Sequence, residues 1–189
     1  MKSIKEQLQE KRSNYSLWEE ELKAKRLELD ASLEELAVIK ETILVFQKAA
    51  KISQEALAKH LSTIVTKAIR AVVQKPYEFV CEFVERRGAT EADLYLMKEG
   101  DRYELLKGTG GGIADVCSVA LKVAYLLLSS NSRVLVMDEI SRHINAPEQR
   151  ARFAEVIKSF STQFGIQFIL ITAVSELLEV SDEVIEIAQ

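Results

Sequence analysis

Apolar side chains recur through the first seventy residues at positions spaced alternately four and three residues apart. Between positions 4 and 46, every position reached by this spacing is apolar except Lys11, Lys25 and Ser32. The stretch has neither Gly nor Pro and is rich in Glu, Lys, Leu and Ala, which favour helix. This is the pattern of a coiled-coil seam, and it predicts a coiled-coil helix over residues 1–72.

The length of this predicted helix matters for association. At 1.5 Å per residue, a helix that runs through Arg70 is on the order of 100 Å long. We expect a break near residues 49–53. A single chain cannot bury so long an apolar stripe, so the pattern predicts a partner helix. The alternative is a helix that folds back on its own domain.

After Pro76 the pattern changes to short apolar runs separated by turn residues. Gly88 and residues 99–101 separate three such runs, which predicts a small antiparallel meander. Helices then alternate with continuous apolar strands, which predicts a parallel sheet and an α/β fold for residues 73–189. The predicted elements are strands over 77–84, 93–98 and 103–106, a helix over 113–129, a strand over 134–137, a helix over 147–164, a strand over 167–172, a helix over 174–180 and a strand over 183–187.

Composition narrows the class of protein. Apolar residues make up 48% of the chain, and the net charge is only −4, so no global basic field indicates nucleic acid. Cys81 and Cys117 lack metal or redox spacing and are predicted to be buried thiols in a reducing cytosol. No apolar run approaches the roughly 20 residues that span a bilayer, and the charged start has no signal-peptide core. The sequence therefore predicts a cytoplasmic protein that does not enter a membrane.

A glycine-rich loop precedes the helix predicted over 113–129. Four of the seven glycines lie within the five positions from Gly108 to Gly112. Glycine lets the backbone approach a ligand closely, and free N–H groups at the start of a helix attract anions. The loop is therefore a candidate phosphate-binding loop. A flexible linker and a plain helix cap are the alternatives.

Two acidic residues, Asp138 and Glu139, follow the apolar strand predicted over 134–137. Ligands bind at the carboxyl ends of the strands in open α/β sheets. Burying either carboxylate without a cation or a hydrogen-bond donor would be costly, so the pair is a candidate ligand site. The alternative is an exposed strand end with a helix cap.

The order of these parts resembles the C-terminal lobe of the ABC-type ATPase head in SMC and SbcC-like chromosome and DNA-repair proteins. Phage-type members with a triple-glycine signature motif are especially similar. In that family the returning coiled coil precedes the lobe, as residues 1–72 would here. The resemblance covers nearly the whole chain, and it implies ATP and Mg²⁺ as cofactors of the complete head, with DNA and a nuclease as further partners.

The resemblance assigns the glycine loop to the signature motif, which caps the γ-phosphate of ATP held by the opposite head. The nucleotide-contacting residues would then be Thr109, Gly110, Gly111 and Gly112. Asp115 stands where many relatives have Glu or Gln. As an early acid of the following helix, it would favour the helix dipole.

The resemblance also makes the two acidic residues a Walker B motif. Asp138 would hold Mg²⁺ through water, and Glu139 would orient and polarise the attacking water, so both are candidate catalytic residues. The segment that follows stands in the place of the D-loop, and Asn145 would contact the opposite head and its nucleotide.

The sequence departs from the family pattern in three places. Ile140 replaces the usual Pro, and Ile144-Asn145 stands where Leu-Asp is common. Ala173 occupies the position of a His that touches the γ-phosphate, and alanine has no side-chain donor. Hydrolysis would then be slow or would use another donor, for which His143 is a candidate beside its more ordinary role as a surface residue.

Several cationic residues lie where the predicted coil enters the lobe. In the resembling family DNA runs across this region, and such charges would neutralise its phosphates. An ordinary solvated face is the alternative. The residues are Lys67, Arg70, Lys75, Arg86 and Arg87.

The phosphate-binding loop of such ATPases, which ends in Gly-Lys-Ser or Gly-Lys-Thr, occurs nowhere in the sequence. The chain could be half of a longer ATPase, a separate subunit, or a decayed half-ATPase. Each explanation predicts a partner or self-association, because an open sheet edge and an unpaired coil favour contact. The partner expected from the resemblance is an N-terminal P-loop lobe. The leading hypothesis is an ATPase half that is inactive without that lobe. The competing hypothesis is a non-catalytic coiled-coil interaction or regulatory protein.

Overall fold

The computed structural model describes residues 3–105, 110–129 and 132–186. A long N-terminal helix precedes a small antiparallel sheet and a parallel sheet with helices, so the α/β fold class predicted from the sequence is confirmed. The elements are α1 (Ile4–Val73), β1 (Glu78–Arg86), β2 (Ala89–Lys98), β3 (Asp101–Glu104), α2 (Gly111–Leu128), β4 (Val134–Asp138), α3 (Pro147–Phe164), β5 (Gln167–Ile171) and α4 (Ser175–Glu179).

Helix α1 runs without interruption for 70 residues, so the break expected near residues 49–53 is wrong. The local sequence Ala-Ala-Lys-Ile-Ser explains this, because it holds no Gly or Pro and alanine is the strongest helix former. The chain divides into two units, Met1–Ile52 and Ser53–Gln189, and α1 contributes to both.

The apolar stripe of α1 is exposed throughout the described part of the first unit. Trp18 is 67% exposed and Phe46 is 70% exposed. Within the described part of this unit, no other element covers the stripe. The stripe stays available to a partner helix.

The C-terminal part of α1 covers the free edge of β1 with polar side chains. The contacts are Ser62 Oγ with the N–H of Cys81 at 3.2 Å, Thr66 Oγ1 with the N–H of Phe79 at 2.9 Å, and the Nε of Arg70 with Tyr77 O at 3.0 Å. Four helix residues rise about 6 Å and two strand residues about 7 Å. Side chains one turn apart on α1 therefore meet every second residue of the strand.

The meander of β1, β2 and β3 is antiparallel with two tight turns, as the sequence predicts. Arg87 and Gly88 form the first turn with φ values of 52° and 77°, and Glu99 and Gly100 form the second with 54° and 93°. Positive φ at both central residues is typical of type I′ turns, whose twist matches that of the flanking strands.

Strands β4 and β5 form the parallel sheet, with Val134 opposite Gln167 and Asp138 opposite Ile171. Helix α3 makes the crossover between them and ends at Gly165, which has a φ of 63°. The strand predicted over 183–187 is wrong for the described residues 183–186, which form no strand. A strand needs a neighbour for its backbone groups, and none of the described residues pairs with this segment.

One hydrophobic core joins the elements of the second unit. Its most buried side chains include Ile69 of α1, Phe79 of β1, Val123 of α2, Phe153 of α3 and Leu177 of α4. The last turns of α1 are therefore part of the lobe rather than an attachment to it.

Helix α2 is strongly apolar. Among the described residues it alone is long and apolar enough to cross a membrane by length and composition. Its side chains Val116, Ala120 and Val123 are buried in the core, with at most 1% exposure. The helix is thus accounted for as the central core helix of the lobe.

Candidate functional site

Strand β4 ends in the two acidic residues that follow its apolar run. Asp138 is the last residue of β4 and lies opposite Ile171 of β5. Glu139 comes next, and its backbone N–H donates to Ile171 O at 3.0 Å. Both acidic residues are exposed at the carboxyl end of the sheet. Of the alternative of an exposed strand end with a helix cap, the structure shows the exposed end, but neither acidic residue caps helix α3, whose N-cap residue is Ala146.

Glu139 has an unusual backbone conformation. Its φ is 48°, in the left-handed region that non-glycine residues occupy at a cost of order 1–3 kcal/mol. The conformation is held from both sides, because the N–H of Arg142 donates to Glu139 O at 3.3 Å while the N–H of Glu139 is bound to β5. Arg142 Nη1 also lies 3.4 Å from Glu139 Oε2, in an exposed ion pair that contributes little to stability.

A cleft of about 250 Å³ opens beside Glu139 between the ends of the two parallel strands. Its lining residues are Glu139, Ser141, Arg142, Thr172, Ala173 and Val174. The cleft thus joins the segment after β4 to the segment after β5. Ala173 lines it where the resemblance leads one to expect a histidine, so that position supplies the cleft with no side-chain donor.

The glycine loop leads directly into α2. Thr109 lies outside the described residues. Gly110 is the N-cap of α2 with a φ of 81° and no side-chain cap, and a Cβ there would meet nothing within 4 Å. No side chain among the described residues caps the first turn of α2, and N–H groups at such a helix start can bind an anion.

Packing within the chain requires glycine at positions 111 and 112, and the sequence did not predict this. A Cβ on Gly111 would lie 2.5 Å from the Cβ of His143, and one on Gly112 would lie 3.1 Å from His143 O. The start of α2 packs directly against the segment that follows Glu139. Close approach of the backbone is thus required by His143 within the chain, whether or not a phosphate also binds there.

Asp115 binds His143 by two hydrogen bonds. The backbone N–H of His143 donates to Asp115 Oδ2 at 3.0 Å, and His143 Nδ1 lies 3.1 Å from Asp115 Oδ1. His143 is not among the residues that line the cleft. The two residues are 28 positions apart, and no local pattern in the sequence pairs them.

Asn145 is exposed and lies two residues before the first turn of α3. Its carbonyl oxygen accepts a hydrogen bond from Arg150 Nη1 at 3.4 Å. Arg150 Nε also donates to Glu176 Oε1 at 2.9 Å, which ties α3 to α4. The pKa of Glu176 is lowered, first by a hydrogen bond from its own backbone N–H and then by Arg150. Asn145 is thus held through its backbone, while its side chain is not among those that line the cleft.

Comparison with known proteins identifies the fold. No protein-family model and no curated protein matches the chain. A solved structure described as the structural biochemistry of ATP-driven dimerization and DNA-stimulated activation of SMC ATPases aligns with a TM-score of 0.54 and 16% identity, over 74% of this chain and 82% of its own. The Smc head domain of Pyrococcus furiosus with an extended coiled coil, bound to the C-terminal domain of ScpA, aligns with a TM-score of 0.54 and 19% identity, over 94% of this chain and 46% of its own.

A third structure gives the same result. The Smc head domain of Pyrococcus yayanosii with a coiled coil and joint aligns with a TM-score of 0.54 and 22% identity, over 82% of this chain and 30% of its own. The chain has the fold of the C-terminal lobe of an SMC head with its coiled coil. It spans less than half the length of the two Pyrococcus chains. The likeness at these identities is one of fold.

Two cationic residues of this SMC-like lobe are already engaged within the chain. Arg86 binds Asp93 through two hydrogen bonds of 2.7 and 2.8 Å and also Glu91, which raises the pKa of Arg86 and lowers that of Asp93. Arg70 donates to the backbone carbonyl of Tyr77, the residue before β1, and is itself exposed. The remaining members of the predicted basic patch, Lys67, Lys75 and Arg87, are exposed. The ion pairs of Arg86 therefore reduce the charge that this patch could offer to phosphates.

The acidic residues of the SMC-like lobe do not make a metal site by themselves. Among the described residues, no group of three or more His, Cys, Asp or Glu could hold a metal ion. Mg²⁺ is commonly held by one or two carboxylates together with substrate phosphates. Asp138 at the exposed strand end fits that mode, in which the remaining ligands come from a nucleotide.

Proposed function

We propose that this chain is the C-terminal half of an SMC- or SbcC-like ATPase head, inactive until a P-loop-bearing lobe joins it. It contributes the signature loop, the Walker B acids and one helix of a coiled coil. The head acts in ATP-dependent DNA repair or recombination in the cytoplasm. The triple glycine resembles the signature motif of phage-type members, so the proposal includes a phage or prophage origin.

The observation that carries the proposal is the open face of the parallel sheet. Val134, Val136, Ile169 and Ile171 are 39%, 65%, 46% and 58% exposed. Parallel sheets are otherwise covered on both faces, and the helices among the described residues cover only one. Four apolar side chains on the bare face therefore call for a further layer of protein, which a P-loop-bearing lobe would supply.

The site chemistry supports the same proposal. Asp138 would hold Mg²⁺ together with phosphate oxygens, and the ion would neutralise charge on the triphosphate. Glu139, fixed in its unusual conformation beside the cleft, would orient the attacking water. Thr109 and Gly110 to Gly112 would contact ATP bound to the opposite head, and Asn145 would lie at the contact between heads.

The partners follow from the two exposed apolar surfaces and from the SMC-like fold. A second helix would cover the stripe of α1. Heads would associate on ATP, as in the SMC ATPases whose ATP-driven dimerization is described, and a ScpA-like protein is a further candidate because ScpA binds the similar Smc head. DNA and a nuclease remain partners that family resemblance alone suggests.

Reconstitution tests this function. A polypeptide with a Gly-Lys-Ser or Gly-Lys-Thr loop and an outgoing heptad helix, encoded beside this chain, is co-expressed with it, and Mg²⁺-dependent ATP turnover is measured. We expect turnover only from the pair, and we expect Glu139→Gln to abolish turnover but not ATP binding. Glu148→Gln is the matched control, because Glu148 is an exposed acid of α3 outside the cleft. Turnover by the chain alone that Glu139→Gln abolishes would contradict the proposal.

The second candidate function is a non-catalytic interaction or regulatory protein with a degenerate half-ATPase fold. Ala173 in the cleft favours it, since that position offers no side-chain donor. In that case the chain binds its partner, but the pair shows no ATP turnover that depends on Glu139. Asp138→Ala then leaves partner binding intact.

A further inference from the structure

Ser141 has a buried hydroxyl that the fold does not use. The residue is 3% exposed, and its Oγ has no hydrogen-bond partner among the described residues. The turn that contains it is closed through its backbone, since the N–H of Ile144 donates to Ser141 O at 3.0 Å and the N–H of His143 donates to Asp115 Oδ2. A buried hydroxyl without a partner is destabilising, because it has lost its bonds to water. A hydrogen-bond partner from outside the isolated chain would explain such a group.

Ser141 lines the cleft beside Glu139 and Ala173. The other polar side chains that line it already have partners. Thr172 Oγ1 accepts the N–H of Val174 at 3.1 Å, and Arg142 pairs with Glu139. Rotation about the Cα–Cβ bond moves a serine hydroxyl among three staggered positions. The hydroxyl can therefore turn from the wall of the cleft toward a group that enters it.

We propose that Ser141 Oγ donates a hydrogen bond to an oxygen of the terminal phosphate of ATP, the donor that Ala173 cannot supply. The proposal rests on the proposed function and makes Ser141 a further catalytic residue of the same site. The step forms one O–H···O bond and breaks no covalent bond. His143 does not take this role, because Asp115 holds its ring and it does not line the cleft.

The first test uses the chain alone and measures urea unfolding. Because the hydroxyl of Ser141 makes no internal bond, Ser141→Ala leaves the unfolding midpoint unchanged or raises it. Ser62→Ala is the control, since Ser62 Oγ accepts the N–H of Cys81 at 3.2 Å and its loss lowers the midpoint. A fall for Ser141→Ala as large as that for Ser62→Ala would mean that the hydroxyl has a structural role, and would overturn the proposal.

The second test uses the chain paired with the P-loop-bearing lobe and measures kcat and KM for ATP. Ser141→Ala lowers kcat by about tenfold or more with little change in KM, because the contact matters most as charge develops on the phosphate. Ser141→Thr keeps the hydroxyl and retains most of kcat. One outcome is that Glu139→Gln abolishes turnover by the pair while Ser141→Ala keeps the wild-type kcat. That outcome overturns the role of Ser141 and leaves the proposed function standing. Absence of any turnover that depends on Glu139 overturns both.

Discussion

At the scale of single residues, Cys117 shows most directly what burial does to chemistry in this chain. It lies on α2 and is 2% exposed, and burial raises the pKa of its thiol from 9.0 to about 12. Burial raises the pKa of Cys81 in the same direction. The thiolate is the reactive form of cysteine, so both residues are structural, as the sequence predicts.

The raised pKa of Cys117 makes stability depend on pH in the alkaline range. Below pH 9.0 the thiol is protonated in both states and its stabilising contribution is complete. Between pH 9.0 and about 12 the unfolded thiol ionises while the folded thiol does not, so the free energy of unfolding falls as the pH rises. Urea unfolding over this range measures the slope.

Cys117→Ala provides the comparison for this slope. The variant loses some stability at every pH because a buried sulfur is removed, but its free energy of unfolding falls less steeply above pH 9.0 than that of the parent. Identical slopes for Cys117→Ala and the parent chain would show that the thiol ionises equally easily in both states.

At the scale of elements, the start of α2 and the segment after β4 are locked together by Gly111 and His143. Gly111→Ala would place two Cβ atoms 2.5 Å apart. We expect it to lower the free energy of unfolding by about 1–3 kcal/mol, the usual cost of overpacking. His143→Gly removes the clashing Cβ, so Gly111→Ala should cost much less in that background.

His143→Ala is the matched control for this pair, because alanine keeps the Cβ that causes the clash. A double-mutant cycle by urea unfolding therefore shows strong coupling of Gly111→Ala with His143→Gly and weak coupling with His143→Ala. Equal costs of Gly111→Ala in all three backgrounds would mean that the two elements are not in close contact.

The elements themselves could largely be predicted, because each follows from a local pattern. The seam of α1, the two turns of the meander and the apolar run before Asp138 all depend on neighbouring residues. The prediction of a break near residues 49–53 is wrong because that segment contains no Gly or Pro. The prediction of a final strand is wrong because a strand needs a neighbouring strand to pair with, and the local sequence pattern does not reveal one.

The candidate site could likewise be predicted only in part. The position of Asp138 and Glu139 at the strand end follows from the apolar run before them. The contacts of Asp115 and Gly111 with His143 join residues about thirty positions apart, and they arise only when the start of α2 packs against the segment that follows Glu139. The unpaired hydroxyl of Ser141 is likewise a property of the packed structure.

At the scale of the whole molecule, two apolar surfaces are exposed where proteins usually bury them. One is the stripe along α1, and the other is the bare face of the parallel sheet. Exposed patches of this kind mark interaction sites. Together with the SMC-like fold, they support the proposal that further protein layers cover these surfaces.

The most direct test of this account is the molar mass of the chain mixed with the P-loop-bearing lobe, measured by light scattering. We predict a stable complex for the parent chain. Val136→Lys with Ile169→Lys, which are opposite each other on the bare sheet face, should abolish that complex without unfolding the chain. Val38→Lys, at an equally exposed apolar position of α1 outside the seam, should leave it intact. A complex that survives the two sheet-face substitutions would contradict the account.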